Sequence, residues 1–390
     1  PAVTKLPKFD PYIPLNHYST NDLFNLSGRW PLQADKVSLQ IVSYADRHKV
    51  IYEGALAKNG DMWTLKPLKL NFPNGLYLAK LSAFSGEAQL SATAVTICIA
   101  PKNIGGRHPR LLFDAAREKS IEQQLKEGNY KPVLDDILSK AKIQREKFPV
   151  SSLHYDLDQF PDEDWLPSWN AFGQHIYGTG EALKENALAY AFGEDSSAGN
   201  YARDVMNTLA GWPSWISPWM LKRGRFDEHR MGTWSHSVAL AYDLTYNLMT
   251  AQERTNIRNA IMKNIVEGAH KTYVYDDDVI SNTSNWIGHT VGGSLMNMAA
   301  IYGDGPETET MEPYFTGAIM KFDAFLNHVT DTKDGAWGEG LGYNSYTFSN
   351  LSRSIPSLYD VFNIDLTAPL VGSYNEFIWG GFIKNRMWFG

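Results

Sequence analysis

Two helical runs joined by a short turn decide the fold of this chain: Trp234-Ser-His-Ser-Val-Ala-Leu-Ala-Tyr-Asp-Leu-Thr-Tyr-Asn-Leu-Met249, then Ala251 to Tyr273. Apolar residues recur with a helical period on both sides of Thr250. Threonine before Ala251-Gln-Glu253 is typical of a helix start, so Thr250 is predicted to cap the second helix. Helices joined by a short turn, without a strand between them, favour an antiparallel hairpin over a parallel sheet.

The same periodicity extends over most of the chain after Leu111. Gly303-Asp-Gly305 is predicted to close the helix that ends at Tyr302. Nine or more helices of this kind are typical of a bundle or an (α/α) toroid, and we expect the toroid. The predicted helices are Asp114–Glu127, Lys131–Lys147, Gly178–Phe192, Asn200–Leu209, Trp234–Met249, Ala251–Tyr273, Trp286–Tyr302, Met311–Val329 and Tyr343–Phe362.

Residues before the helices have the pattern of strands. Turn signals such as Lys58-Asn-Gly-Asp61 separate some of them, and five short strands at this spacing predict a small β-sandwich. Since 390 residues exceed what one hydrophobic core holds, we expect two domains, a β-sandwich over 1–105 and a toroid over 106–390. The predicted strands are Val37–Val42, Lys49–Tyr52, Trp63–Leu70, Leu76–Leu81 and Leu90–Ile99.

Composition narrows the classes of partner. A net charge of −7 argues against nucleic acid, and no apolar run is long enough to cross a membrane. The single cysteine, Cys98, rules out an internal disulfide and a thiolate metal cluster. The chain opens with the polar stretch Pro1–Pro14, so an exported protein would already have lost its signal peptide. We expect a secreted or periplasmic protein; the sequence leaves the oligomeric state open.

A glycine-rich stretch, Asp334-Gly-Ala-Trp-Gly-Glu-Gly-Leu-Gly-Tyr-Asn-Ser-Tyr346, is the first candidate for chemistry. A helix is predicted to start near Tyr343, placing Tyr343 and Tyr346 on one face near its positive end. That field favours a phenolate, which is scarce for an ordinary tyrosine at neutral pH, and so makes Tyr343 a candidate base. Tyr346 and Glu339 are candidates for substrate binding. The alternative is a glycine-rich turn with aromatic packing.

A second stretch, Ser281-Asn-Thr-Ser-Asn-Trp-Ile-Gly-His289, is predicted to open a helix. Asn285 and His289 are four residues apart and share a face at the helix N-terminus, where exposed N–H groups favour an anion such as a carboxylate. In the alternative interpretation, Asn282 or Ser284 caps the helix and His289 is a buried core histidine.

A third stretch, Trp212–His236, combines aromatic rings with clustered cations. Rings that stack on sugars beside cations that pair with carboxylate or sulfate would suit an acidic polysaccharide. His236 is predicted to open the next helix and to face the same cavity, and it is a further catalytic candidate. An irregular surface loop could have the same composition. The substrate-binding candidates outside the glycine-rich stretch are Trp169, Asn170, Trp215, Trp219, Arg225 and Arg230.

These side chains suit β-elimination. Removal of the C5 proton of a uronate builds negative charge on the adjacent carboxylate, which Asn or His can stabilise while Tyr or His takes the proton. A glycosidase would need two carboxylates across the bond instead. Asp334 and Glu339 are available for that, as is the acidic run Asp276–Asp278, so hydrolysis stays open as an alternative.

Five segments occur in a characteristic order: His108-Pro-Arg-Leu-Leu-Phe113, Ala239-Leu-Ala-Tyr-Asp-Leu-Thr-Tyr246, Asn285-Trp286, Asp334-Gly…Glu339-Gly…Tyr343…Tyr346 and Arg386-Met-Trp-Phe-Gly390. They resemble the heparinase II/III-like superfamily of polysaccharide lyases, which is related to dermatan sulfate epimerase and exolytic alginate lyases. The resemblance covers about the last three-quarters of the chain. It implies that Tyr343 is the catalytic tyrosine and that Asn285, or His289 nearby, neutralises the uronate carboxylate.

The resemblance also implies a further domain. Family members usually continue into a β-sandwich that supplies another catalytic histidine and sometimes a structural divalent cation. This sequence stops at Gly390, where that domain would begin, so we expect either a fragment or an incomplete site. No cofactor is expected to be required in this chain.

The leading hypothesis is therefore a lyase that acts on a glycosaminoglycan such as chondroitin, dermatan or hyaluronan. An alginate lyase and a uronate C5 epimerase share the proton abstraction and stay open. A glycan-binding protein without catalysis, which would not depend on Tyr343, and a toroidal hydrolase are the alternatives from other classes.

Overall fold

The computed structural model describes residues 17–19, 21–30, 33–46, 48–156, 165–224, 229–274, 284–331 and 339–367. They form two compact units. The first contains the described residues up to Lys102 together with Phe362 to Thr367, and the second contains those from Asn103 to Val361. The predicted order, a β-sheet region followed by a mostly helical region, is confirmed.

Seven strands of the first unit form one sheet, in the order β1-β9-β8-β4-β5-β6-β3, and β2 pairs with β7 in a second, two-stranded sheet. Most neighbours are antiparallel, whereas β1 and β9 are parallel. The strands are β1 His17–Ser19, β2 Leu23–Phe24, β3 Ser27–Gly28, β4 Lys36–Ser43, β5 Val50–Asn59, β6 Met62–Thr64, β7 Leu68–Lys69, β8 Gly75–Ser85 and β9 Ala88–Ala100.

Alternation of apolar residues gives the large sheet its buried face. Val37, Leu39 and Ile41 of β4 are fully buried and lie opposite Ala83, Leu81 and Ala79 of β8 in the antiparallel register. A shift of one residue would expose this set to solvent, so the burial fixes the register. The predicted strand Trp63–Leu70 was wrong as one element. Pro67, which has no N–H for a ladder, lies between β6 and β7.

The second unit is built from helices. These are α1 Ala115–Lys126, α2 Lys131–Lys147, α3 Trp165–Gly193, α4 Ser196–Ala210, α5 Pro218–Lys222, α6 His229–Thr245, α7 Ala251–Ile261, α8 Glu267–Ala269, α9 Asn285–Ile301, α10 Glu312–Asp331 and α11 Gly340–Phe362. Turns of π-helix, Met262–Val266 and His270–Val274, flank α8, so the predicted run Ala251–Tyr273 is helical but not one regular α-helix. Short 3₁₀ turns occur at Gly128–Tyr130, Val150–Ser152, Tyr246–Leu248 and Pro306–Met311.

Local capping chemistry sets several helix ends as predicted. The Thr250 hydroxyl accepts a hydrogen bond from the backbone N–H of Glu253, and the Glu253 carboxylate accepts one from the N–H of Thr250. These reciprocal bonds form a capping box at the start of α7. Gly303 has a φ of +73° just beyond α9, a conformation that glycine adopts without strain.

Glycines bring α6 and α9 into close contact. A Cβ added to Gly293 of α9 would lie 2.7 Å from the backbone oxygen of Gly232 in α6, and one added to Gly232 would lie 2.5 Å from the backbone of His289. Side chains larger than hydrogen cannot fit at this crossing without moving backbone. The crossing therefore holds the buried histidines of these two helices near each other.

A buried ionic cluster anchors the start of the second unit. The His108 ring lies between two carboxylates, with Nδ1 2.7 Å from Asp243 and Nε2 3.0 Å from Asp304. Asp243 also accepts hydrogen bonds from the backbone N–H groups of Arg110 and Leu111, at 3.0 Å each. The Arg110 guanidinium lies 2.7 Å from Asp304. These bonds join the segment before α1 to α6 and to the end of α9.

Candidate active site

A cleft of about 520 Å³ opens in the helical unit, within the size range of small-ligand sites. Helices α3, α6 and α11 supply its described walls. Four of the α11 residues that face it, Tyr343, Tyr346, Asn350 and Arg353, follow one another at spacings of three and four and so share one helical face. The described lining comprises Tyr177, Gly180, Glu181, His229, Arg230, Thr233, Trp234, Ser237, Tyr343, Tyr346, Ser349, Asn350 and Arg353.

The two predicted tyrosines both line the cleft but differ in their surroundings. Tyr343, in the first turn of α11, is 55% exposed, and its hydroxyl makes no hydrogen bond to the described residues. The Tyr346 hydroxyl lies 3.0 Å from that of Tyr177 and is also hydrogen-bonded to Thr233. Tyr343 is therefore available to a ligand, whereas Tyr346 is held in the wall.

His289 lies behind this wall. It is fully buried, its ring lies 3.9 Å from that of Tyr346 between centroids, and Asn350 donates to its Nδ1 at 2.8 Å. Nδ1 therefore accepts, which leaves the proton on Nε2 of a neutral ring. Burial lowers the pKa of His289 well below its ordinary value, and the neighbouring His236 and His229 add to this effect. His289 is not in the described lining of the cleft, but it contacts two residues that are, Tyr346 and Asn350.

His236 is the second buried imidazole. The prediction that it opens a helix was wrong, because α6 begins at His229 and His236 lies in its second turn. Its Nδ1 donates to the backbone oxygen of Gly232 at 2.8 Å, and its Nε2 has no partner among the described residues. Burial lowers the pKa of His236 to about 3, and the positive charge of Arg353 contributes in the same direction. His236 is thus neutral at physiological pH.

The N-terminus of α9 holds an acidic side chain. The backbone N–H of Asn285 lies 3.1 Å from each carboxylate oxygen of Glu339, and the side-chain amide of Asn285 donates to the same carboxylate. Ser284 caps the helix by accepting from the N–H of Trp286 at 3.3 Å. The positive helix end that was predicted to take an anion therefore takes the carboxylate of Glu339.

The structure brings three predicted binding residues together at the edge of α6. The Arg230 guanidinium stacks 3.3 Å from the centroid of the Trp169 ring. It donates to the backbone oxygen of Trp169 and, at 2.8 Å, to the side-chain oxygen of Asn170. Arg230 lines the cleft, and His229 beside it stacks on Trp286 with centroids 4.4 Å apart. An aromatic and cationic wall results.

The other predicted aromatic residues lie elsewhere. Trp215 is 1% exposed, donates from its indole to the backbone oxygen of Leu209 at 2.7 Å, and packs against Trp234. Trp219 is 9% exposed and lies under the guanidinium of Arg223. Neither belongs to the described cleft lining, because their rings are used in packing. Predicted residues that lie outside the described part of the chain are Arg225, Asn282, Asp334, the run Asp276–Asp278 and the segment from Arg386.

Arg353 is a cleft residue that the sequence prediction did not include among the site residues. Its position seven residues after Tyr346 on the same helix was the available signal. Its significance depends on burial and on the charges around it, which are tertiary properties. Among the described residues, no group of three or more His, Cys, Asp or Glu side chains is placed to hold a metal ion.

The fold and the cleft define a protein in which a β-sheet unit precedes a helical unit that contains a cleft lined by tyrosines and arginines. No protein-family model matches this chain, and no curated protein matches its sequence. In the part of the chain that the structure describes, no helix has the length and apolar character needed to cross a membrane.

Proposed function

We propose that this protein is a polysaccharide lyase that cleaves uronic-acid-containing chains by β-elimination, with Tyr343 as the proton-transfer residue. A glycosaminoglycan such as chondroitin, dermatan or hyaluronan is our first choice of substrate, and alginate is the second. The observation that carries the proposal is the cleft, in which the available hydroxyl of Tyr343 lies in one lining with the cations Arg230 and Arg353. A secreted or periplasmic location and membership of the heparinase II/III-like superfamily belong to the same proposal.

The proposed architecture agrees with the packing of the described helices. Helix α6 packs against both α3 and α9, and α2, α4, α7 and α10 alternate with these three along the chain. We propose that this alternation is an (α/α) toroid whose inner helices, together with α11, surround the cleft. In the first unit, the two sheets that share one apolar core are proposed to form a small β-sandwich.

In the proposed reaction, Tyr343 takes the C5 proton of the uronate. The C–H electrons form the C4–C5 double bond as the C4–O4 bond breaks, and Tyr343, acting next as general acid, gives the proton it has taken to the departing O4. Charge that builds on the uronate carboxylate is stabilised by hydrogen-bond donors and cations, and Asn285 is the proposed neutral donor. Because the Asn285 amide now donates to Glu339, the substrate carboxylate replaces that of Glu339 in this scheme. His236 and His289, both buried, position the wall and do not touch the sugar.

The deciding experiment follows the ultraviolet absorbance of the unsaturated product while the protein digests hyaluronan, chondroitin, dermatan sulfate and alginate. We expect absorbance to rise with at least one polymer. Tyr343→Phe is expected to lower kcat at least about 100-fold while binding persists, since a positioned proton-transfer group contributes a factor of this order. The control is Tyr359→Phe, on the same helix but outside the described cleft lining and 53% exposed, which should keep the wild-type rate.

Two outcomes would contradict the proposal. New reducing ends without ultraviolet absorbance would indicate hydrolysis, and a near-normal rate for Tyr343→Phe would remove that tyrosine from the chemistry. An epimerase would exchange the C5 proton with solvent without releasing an unsaturated product.

The contact between Glu339 and Asn285 favours one second candidate, a glycan-binding protein without catalysis. Asn285 and Glu339 are not in the described lining of the cleft, and an amide that already donates to a carboxylate suits a protein that binds a sugar without removing its C5 proton. This candidate predicts binding of uronate oligosaccharides with no product from any polymer and with full affinity in Tyr343→Phe.

A further inference from the structure

Arg353 is a partly buried cation in the wall of the cleft. It lies on the face of α11 that also carries Tyr346 and Asn350, and its side chain lines the cavity. Its guanidinium makes neither a hydrogen bond nor an ion pair with any residue that the structure describes. Burial lowers the pKa of Arg353 below its ordinary value, which reflects the loss of water around the charge. A partly desolvated cation that forms no ion pair with the described residues destabilises the fold.

The nearest carboxylates do not neutralise this charge. Glu181 and Glu185 of α3 raise the pKa of Arg353 by attraction, but neither lies within ion-pair distance of it. Both are paired with Lys184, whose Nζ lies 2.5 Å from Glu181 and 3.4 Å from Glu185. Lys184 offsets one of these two negative charges, and the guanidinium of Arg353, which forms an ion pair with neither carboxylate, lines the cavity.

The other arginine of the described lining differs in this respect. Arg230 stacks on Trp169 and donates to Asn170 and to a backbone oxygen, so its guanidinium is already held by protein groups. No such set of partners is found for Arg353 among the described residues. The N–H groups of its planar guanidinium are therefore available to a ligand, and a carboxylate can accept two parallel hydrogen bonds from them.

We infer that Arg353 is the specificity-determining anchor of the cleft, where it binds a free carboxylate of a uronate residue and selects against its uncharged ester. The inference rests on the proposed function for its substrate class. It assigns a role to Arg353 and predicts that the cleft prefers the free acid to its ester. The proton-transfer chemistry of Tyr343 does not require this preference.

The test measures binding apart from turnover. Affinities of the tetrasaccharides of hyaluronan and alginate, and of their methyl esters, are measured by calorimetry in the Tyr343→Phe background, so that a lyase would not consume the ligand. We expect at least one acid form to bind about 10-fold more tightly than its ester, as for a desolvated charge pair. Arg353→Met should reduce that ratio to about one by weakening the acid form alone, and Arg353→Lys should give an intermediate ratio.

A stability measurement separates this role from a structural one. Arg353→Met removes a partly buried charge without breaking an ion pair with the described residues, so Tm should stay the same or rise. Arg117→Met, at a side chain that is 64% exposed on α1, is the matched control and should keep the acid-to-ester ratio.

The inference is overturned if no acid form binds more tightly than its ester, or if Arg353→Met keeps the ratio, whether or not Tm falls. Failure of the lyase proposal is seen separately, as the absence of unsaturated product from the wild-type protein. A protein that discriminates acid from ester through Arg353 but yields no product would keep this inference and lose the lyase chemistry.

Discussion

Substitution of Asp243 by Asn should destabilise the helical unit severely, because this carboxylate accepts several hydrogen bonds in the buried cluster. Nδ1 of His108 donates to it at 2.7 Å, and the backbone N–H groups of Arg110 and Leu111 donate at 3.0 Å. Asparagine has about the same size but offers one acceptor oxygen, and its NH₂ group would face the remaining donors.

The magnitude follows from these contacts. Each hydrogen bond to a charged group contributes about 1.5–3 kcal/mol, and at least two would be lost or inverted. Breaking a buried ionic cluster by removing one partner costs about 3–5 kcal/mol, which agrees with that sum. For a unit of this size we expect Tm to fall by roughly 6–20 °C.

Thermal and urea unfolding, followed by circular dichroism at neutral pH, would measure the loss. Asp135→Asn is the control, because Asp135 forms an exposed pair with Lys131 at 3.2 Å and should change stability by less than about 0.5 kcal/mol. If Asp243→Asn unfolds within about 1 kcal/mol of the wild type, the cluster does not hold the segment before α1 in place.

The remaining predictions concern pH, the helix crossing and the helix end. His236 is charged in the unfolded chain below about pH 6.5, but in the folded chain it stays neutral down to its lowered pKa of about 3. The free energy of unfolding should therefore fall by several kcal/mol as the pH is lowered from about 6.5 to about 3. His236→Phe should reduce this pH dependence in urea unfolding. Gly293→Ala should cost about 1–3 kcal/mol in urea unfolding, whereas Gly342→Ala, with open space around its Cβ, should be neutral or stabilising. Glu339→Gln should raise affinity for uronate tetrasaccharides several-fold in calorimetry; a lower affinity would contradict the scheme in which substrate replaces Glu339.

Acid sensitivity also has a second source in the buried cluster. Burial opposes ionisation of Asp304, yet the hydrogen bond from His108 and the charge of Arg110 hold the pKa of that carboxyl below its ordinary value. A carboxyl whose folded pKa is depressed adds stability above its unfolded pKa of about 3.9, and this stability is lost as the pH falls through the folded pKa.

Much of the secondary structure was predictable because its causes are local. The capping box of Thr250 and Glu253 joins residues three apart, and the helix periodicity is read over a few turns. Errors occurred where distant residues decide. The predicted strand Trp63–Leu70 forms two strands in the structure, because β6 pairs with β3 and β5, whereas β7 pairs with β2. Helix α3 begins at Trp165, well before the predicted Gly178.

The site divides in the same way. The spacing of Tyr343, Tyr346 and Arg353 on one helix is a property of the sequence, as is the helix start at Asn285. That Trp215 packs in the core while Trp169 carries Arg230 could not be read from composition, since both are tryptophans near cations.

The sequence by itself therefore determined the order of a β-sheet region and a helical region, the capped helix ends, and the helical face on which the tyrosines lie. Those features depend on contacts within about four residues or on a short period. Only the tertiary structure decided that Glu339 occupies the end of α9, that His289 lies behind Tyr346, and that Arg353 keeps its charge without a described partner. Burial and pairing of charges depend on which helices pack together, and residues more than fifty positions apart meet only in the folded chain.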